Sequence, residues 1–232
     1  MKRPAAPITT PTPRAPAPST PRAPAAPGTA QDGRRRRSLS SRAKIVSAVM
    51  EFTRAGDFAP SAQRVADMAG VGLRTVFRHF DDMDTLFREI TTMVEAEVMP
   101  IILQPVDGDT WQDKLAIVVE RRAAVFETIM PFRLSANVKR YQSAFLMADY
   151  LRINALERRL VEAVLPADLL VDRVGVDALH IALGFQTWRA LRYDQQLPAD
   201  VAVQVVRRMV ADWVARLPHY HNAPAMLLPQ AG

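Results

Sequence analysis

The chain has 232 residues, 18 prolines, no cysteine and a formal net charge of +6. Without cysteine there are no disulfides and no thiolate chemistry, and no apolar run approaches the roughly 18 residues of a membrane span or the h-region of about 7 to 15 that a secretory signal needs. These exclusions predict a cytoplasmic protein with no membrane partner. The charge is unevenly placed: residues 1–37 hold nine of the prolines and eight positive charges against Asp32 alone, a net +7, so the rest of the chain is close to neutral. A segment so rich in proline and alanine, with no sustained apolar period, cannot bury enough surface to offset the entropy of ordering, which predicts a disordered tail over 1–37. It ends in the run Arg34, Arg35, Arg36 and Arg37.

From there the chain reads as helix. Ile45, Ala48, Val49 and Phe52 recur at i, i+3, i+4 and i+7, predicting a first helix over about 41–55 with one buried stripe, stopped by Gly56. Ser61 is placed to cap a second helix over about 62–68, in which Val65, Ala66 and Ala69 face inward. Gly70 supplies a tight bend, Val71 plugs the gap between the two helices, and a third helix over about 73–79 keeps Val76 and Phe80 on its buried side. Leu73, Arg74, Thr75, Phe77, Arg78 and His79 are left outward. Two short helices around a tight turn are how a chain presents one helix to the major groove of double-stranded DNA. Arg74 and Arg78 suit guanine or phosphate, Thr75 a phosphate oxygen, and His79 either, while Phe77 wastes apolar surface unless it packs on a sugar or a thymine methyl. Ser61 and Gln63, at the start of the second helix, complete the predicted contact set.

Phe52, Gly56, Phe58, Ser61, Val65, Ala66, Ala69, Gly70, Val71, Thr75, Val76, Phe77, His79, Phe80 and Leu86 together resemble the DNA-binding domain of TetR-family transcriptional regulators. Three positions depart from that pattern: Gly72 stands where a Ser usually caps the recognition helix, Phe77 replaces Tyr, and Met83 replaces a Lys that often reaches a phosphate. Each departure removes a polar group from the DNA-facing side. The resemblance implies an all-α fold of about nine helices. A three-helix, helix-turn-helix head over 38–86 would precede a helical effector-binding and dimerisation domain over 87–217 and a short tail over 218–232. It also implies a homodimer reading two half-sites of a near-palindromic operator, acting as a repressor released by a small-molecule effector of unknown identity. Beside such a head, Arg34, Arg35, Arg36 and Arg37 have two readings: an arm in the neighbouring minor groove, or a solvated linker that adds only non-specific phosphate attraction.

Prolines punctuate the body. A fourth helix is expected from an Asp82 cap to about Met99, ending before Pro100, and a fifth from Thr110, spaced from Asp113 as in a capping box, to about Ile129. Pro131 should begin a short sixth helix, followed by a seventh over about 142–165, an eighth over about 170–194, and a ninth from Pro198 to about Leu217. The last two are apolar nearly all round. Burial of that surplus against a second copy would make Leu179, Leu183, Trp188, Val206, Val210 and Trp213 a dimer interface; the competing reading is a thick core within one chain. For an effector pocket the bulky candidates are Met93, Trp111, Phe126, Met130, Phe132, Phe145, Met147 and Tyr150, with Arg133, Asn137, Arg140 and Gln142 as polar anchors.

Two other functions compete. The chain carries no His-Glu-x-x-His, Gly-x-Ser-x-Gly, phosphate-loop or dinucleotide-binding glycine pattern, so the sequence assigns no catalytic residue, metal ligand or cofactor. Of the four histidines only His219 and His221 are spaced to share a metal, with no carboxylate near in sequence. A helical enzyme is therefore a weak alternative, and a DNA-binding architectural protein without effector is a second one.

Overall fold

The computed structural model describes residues 28–80 and 83–217, all of it helix and connecting turn with no strand among them. By its contacts the chain divides into two units, Met1–Ser38 and Leu39–Gly232. In the first unit the described part is the beginning of helix α1 (Gly28–Arg54), with Arg35, Arg36 and Arg37 exposed. The sequence places the helix start near residue 41 and disorder before it; α1 instead begins at Gly28. Pro27 is the last proline of the tail, so from residue 28 no ring interrupts the i to i−4 ladder, and Ala30, Gln31 and the arginines favour helix. The readings of residues 1–27, of Asp82 as a cap, of the 218–232 tail and of His219 and His221 lie outside the described residues, as do the side chains of Arg34, His79 and Phe80.

In the second unit α1 is buried on two faces. Its predicted stripe, Ile45, Ala48, Val49 and Phe52, packs with Val65, Ala66 and Ala69 of α2 (Ala62–Ala69) and with Val76 of α3 (Leu73–Phe80). A second stripe, Val46 and Met50, packs with Leu86 of α4 (Met83–Ile102) and Phe132 of α5 (Trp111–Lys139). Ion pairs Arg42–Glu89 and Arg54–Glu97 join α1 to α4 along the edge of that seam. The larger core is formed by α4, α5, α6 (Ala144–Glu162), α7 (Arg173–Ala182), α8 (Phe185–Arg189) and α9 (Ala199–Ala215), around Leu115, Val119, Phe126, Val176, Leu179 and Val210.

The prolines and glycines act differently from the sequence reading at three places. α4 continues through Pro100 to Ile102; Ala96 and Pro100 are both exposed, so the carbonyl that loses its helical donor lies on the solvent side. α5 continues through Pro131 to Lys139 as one helix, with no separate sixth helix there. The proline costs about 3 kcal/mol in a helix interior, but Ile129, Phe132, Arg133 and Ser135 around it are all buried, and that packing holds the helix together. The expected 170–194 helix is, by contrast, broken. It comprises a 3-10 turn at Leu169–Val171, then α7, an extended Gly184, α8, and a π-helical turn at Ala190–Asp194. A Cβ on Gly184 would sit 3.0 Å from the His180 carbonyl oxygen, so any larger side chain there would be crowded. The capping box at Thr110 is present, with Asp113 donating its N–H to the Thr110 hydroxyl at 3.1 Å and accepting from the Thr110 N–H at 3.0 Å.

The break has a buried partner. Arg122 of α5 donates to the freed Leu183 carbonyl at 2.7 Å and also to the Glu157 carbonyl of α6. Burial lowers the pKa of this guanidinium, with the Glu157 carboxylate opposing. Trp188, proposed from sequence for a dimer interface, is buried within its own chain and donates its indole N–H to Glu127 at 2.9 Å; Glu127 in turn holds Arg192. Leu179, Leu183, Val206 and Val210 are likewise buried inside the single chain, and half-buried Trp213 meets Trp111 edge to face at 6.5 Å and donates to the Gly175 carbonyl. These six side chains form an intramolecular core rather than an interface, because α9 packs against both α5 and α7 and uses up the apolar surface that looked surplus.

Replacing Arg122 by Ala leaves the Leu183 carbonyl without its donor, removes the second donor from the Glu157 carbonyl, and leaves the Glu157 carboxylate with less positive charge nearby. The unfolding free energy should fall by about 3 kcal/mol, measured by urea denaturation. A loss of a few tenths of a kcal/mol would mean that Arg122 does not hold the break.

His180 of α7 gives a pH prediction. Its pKa is lowered first by burial and then by Arg158 and Arg122, with Glu162 and Asp177 opposing, and Nε2 has no hydrogen-bond partner. A depressed folded-state pKa means that the unfolded chain takes up the proton first. Stability from this group is therefore complete above about 6.5, the unfolded value, and is lost as pH falls below it. In His180→Gln the decline in unfolding free energy between pH 7 and 5 should be shallower than in the native protein; parallel curves would remove His180 from the acid response.

Candidate nucleic-acid interface and ligand cavity

Local sequence sets the geometry of α2 and α3. Ser61 caps α2, its hydroxyl accepting from the Arg64 N–H at 3.4 Å, and Gly70 ends it in the left-handed conformation (φ 61°, ψ 40°) with its N–H returned to the Ala66 and Asp67 carbonyls. That φ suits glycine, although the space around Gly70 is open. Val71 is half-buried against the α1–α2–α3 core, as expected of a plug. At the start of α3 the Gly72 carbonyl accepts from the Thr75 and Val76 N–H groups. Arg64 lies over the Phe52 ring at 4.5 Å and pairs with Asp57, which fixes the loop before α2.

On α3, Val76 is fully buried, whereas Leu73, Arg74, Phe77 and Arg78 are exposed and Thr75 is half-buried. Phe77 is 54% exposed, a large apolar ring on an otherwise polar face. Gln63 is exposed but donates to Asp67 at 2.8 Å, so its amide is already engaged along α2. Cationic and apolar side chains thus share the exposed face of α3, with a buried valine beneath them.

Behind α1 and α4 lies a cavity of about 660 Å³. Its walls come from α4 (Leu86, Phe87, Ile90, Val94, Val98), α5 (Phe126, Ile129, Phe132, Arg133), α6 (Tyr150, Ile153, Leu156) and the loop Phe58–Pro60. Of the eight bulky residues expected there, Phe126, Phe132 and Tyr150 line it. Met93 is exposed, Trp111 is taken up by Trp213, Met130 packs on the large core, Phe145 lies under the Arg88 guanidinium at 4.3 Å, and Met147 is outside the wall. Arg133, Asn137 and Arg140 are in the wall and exposed Gln142 is not.

No protein-family model, curated protein or solved structure matches the chain.

The sequence reading missed the aliphatic wall and Lys139. Leu86, Ile90, Val94 and Val98 repeat every four residues, a periodicity as readable as that of α1. Lys139 donates to the Phe58 carbonyl at 2.9 Å and the Ser135 hydroxyl at 3.0 Å, and burial lowers its pKa. It pins the end of α5 to the loop that precedes α2. Arg133 and Arg140 lie seven residues apart on α5, one face and about 10 Å along the axis, with Ala136 and Asn137 between them in the same wall. Arg133 sits over the Phe185 ring at 4.8 Å, Arg140 over Tyr150 at 3.7 Å, and the Arg140 hydrogen bond holds the Tyr150 phenol below its ordinary pKa. Among the described residues no group of three His, Asp or Glu is placed to hold a metal ion, and no helix is long and apolar enough to cross a membrane.

Proposed function

We propose that the chain is a TetR-like transcriptional regulator that binds an operator through the outer face of α3, as a homodimer, and is released by a small molecule in the cavity. The observation that carries this reading is α3 itself. Eight residues long and anchored by buried Val76, it turns Arg74, Phe77 and Arg78 to solvent. Phe77, 54% exposed, lies on the same face as the two arginines, and a groove floor would offer it thymine methyls and sugars beside acceptors for them.

The cavity supplies the regulatory half. Phe132 is at once part of its wall and part of the cluster with Val46, Met50 and Leu86, and Lys139 ties the other end of the wall to Phe58. A molecule that displaces Phe132 or the end of α5 therefore acts on both faces that orient α1 to α3. A coupling of about 3 kcal/mol would change operator affinity by roughly 150-fold.

For the second copy, the surface available is the outer stripe of α7. Val174, Ala178 and Ile181 fall at i, i+4 and i+7 and are all exposed, Val174 at 81% and Ile181 at 71%. The paired-head reading requires that pairing to hold two α3 helices about 34 Å apart, on successive major grooves. An architectural protein without effector has no use for a largely apolar cavity of this size, which favours the regulator.

Selection from a random duplex pool should enrich an inverted repeat, and Arg74→Ala should weaken binding to that repeat by about 1–3 kcal/mol while leaving random duplex nearly unaffected. Failure to enrich any sequence would remove the operator reading; equal losses on both DNAs would assign Arg74 to phosphate.

Sedimentation should find the native protein dimeric at tens of micromolar and Ile181→Glu monomeric, with affinity for the full repeat reduced. A native protein that is monomeric and yet binds the repeat tightly would end the paired-head mechanism.

A further inference from the structure

We infer that the cavity takes an amphiphilic carboxylate, an apolar chain or ring system bearing one carboxylate, with the carboxylate on Arg133 and the apolar body along α4 and α6. As the identity of the effector this rests on the regulator reading; as a binding site it rests on the cavity alone.

Two kinds of observation converge. The first is unmet charge. The Arg133 side chain is only 9% exposed, and its Nε and Nη1 have no hydrogen-bond partner. Its paired carboxylate, Glu157, is 3.6 Å from Nη2, beyond hydrogen-bond distance, and also faces Arg122. Of the charged side chains in the wall, six are cations and three are carboxylates. Arg152 pairs with two of those carboxylates, Glu95 and Asp149, so that Glu157, with a weaker contribution from Asp149, is what faces Arg133, and Glu157 faces Arg122 as well. Arg140 repeats the pattern, with Nε and Nη1 unpartnered. A buried guanidinium with unpartnered donors is destabilising until an anion meets it.

The second is the surroundings of that charge. Val94, Val98, Phe126, Ile153 and Leu156 present no hydrogen-bonding group to an occupant, and about 660 Å³ suits a molecule of roughly ten to twenty heavy atoms. The ligand must therefore carry one compact anionic group and an apolar remainder. A carboxylate is planar and matches a guanidinium fork, and each fork of Arg133 joins one unpartnered nitrogen, Nε or Nη1, to Nη2, which stands beyond hydrogen-bond distance of Glu157; a phosphate dianion would bring more charge than one guanidinium can satisfy in an apolar wall.

Calorimetric titration of the full chain with decanoate, decanol and decylamine tests this without any substitution. Decanoate should bind at least about 10-fold tighter than decanol, and decylamine weakest. In Arg133→Met the decanoate advantage should shrink to less than about 3-fold while decanol affinity is nearly retained, and Arg140→Met should give a smaller loss. Should Arg133→Met fail to fold by circular dichroism, the native ranking and Arg140→Met decide. Equal binding of decanoate and decanol, binding of none below millimolar, or an advantage untouched by either substitution would overturn the inference. Operator affinity is measured separately: decanoate that binds with the expected ranking but leaves DNA binding unchanged upholds the site and removes its effector role, whereas operator binding by a protein with no carboxylate preference upholds the regulator and removes this ligand class.

Discussion

One carboxylate in the centre of the body serves two buried guanidiniums. Glu157 stands between Arg122 and Arg133, both on α5, and cannot satisfy both. Arg122 makes up the deficit with carbonyls, one from Glu157 itself and one from Leu183, where the helix ladder is interrupted at Gly184. Arg133 has no such recourse, and its buried Nε and Nη1 have no hydrogen-bond partner. The broken path of the chain after α7 and the polarity of the cavity are thus two answers to the same shortage of negative charge. Replacing Arg122 would strand the Leu183 carbonyl while leaving Glu157 to Arg133, which is why a stability measurement at Arg122 and a binding measurement at Arg133 read the same electrostatic centre from opposite sides.

The second constraint is the double burial of α1. A surface helix needs only one apolar stripe, but α1 has two, and Val46 and Met50 of the second are only 1% exposed. It therefore belongs to two cores at once, and Phe132 closes the second of them from the cavity side. Close-packed clusters of this kind do not deform smoothly; they hold one arrangement until it becomes cheaper to adopt another. An occupant need not reach α3 to act on it.

Much of this was legible in the sequence, and the failures have physical causes. The α1 stripe, the Ser61 cap, the Gly70 bend, the Val71 plug and the Thr110 capping box rest on contacts within a few residues, and short-range chemistry decides them. Pro131 misled because local propensity was weighed without the packing of Phe132 on α1 and α4, which outweighs it. The break at Gly184 was hidden because the residues on either side are as apolar as those of a continuous helix, and what captures the freed carbonyl is an arginine 61 residues away. The cavity was half legible. Arg133 and Arg140 are legible as polar anchors, but the sequence does not tell that Arg152 pairs with Glu95 and Asp149 while Glu157 stands 3.6 Å from Arg133; that depends on how α5 and α6 meet.

The interface residues failed for a related reason, and the failure sharpens the surface argument. Apolar content along 170–217 measures how much surface must leave water, not what covers it. Trp188, Leu183 and Val210 are covered by their own chain, so they report nothing about a partner. What remains after that core is satisfied is the stripe Val174, Ala178 and Ile181, whose i, i+4, i+7 spacing on one face of α7 is the pattern of a helix that still lacks a neighbour. Intramolecular packing therefore acts as a filter on sequence patterns: it removes the residues that looked most like an interface and leaves a smaller stripe. The regulator proposed above would need that remainder, because one eight-residue helix with two arginines and few polar groups would cover only a half-site. In that proposal the poverty of polar groups at Gly72, Phe77 and Met83 and the need for a second copy are linked. The weaker each head, the more the affinity of a pair would depend on holding both at the right spacing, and the more readily a shift of Phe132 would abolish it.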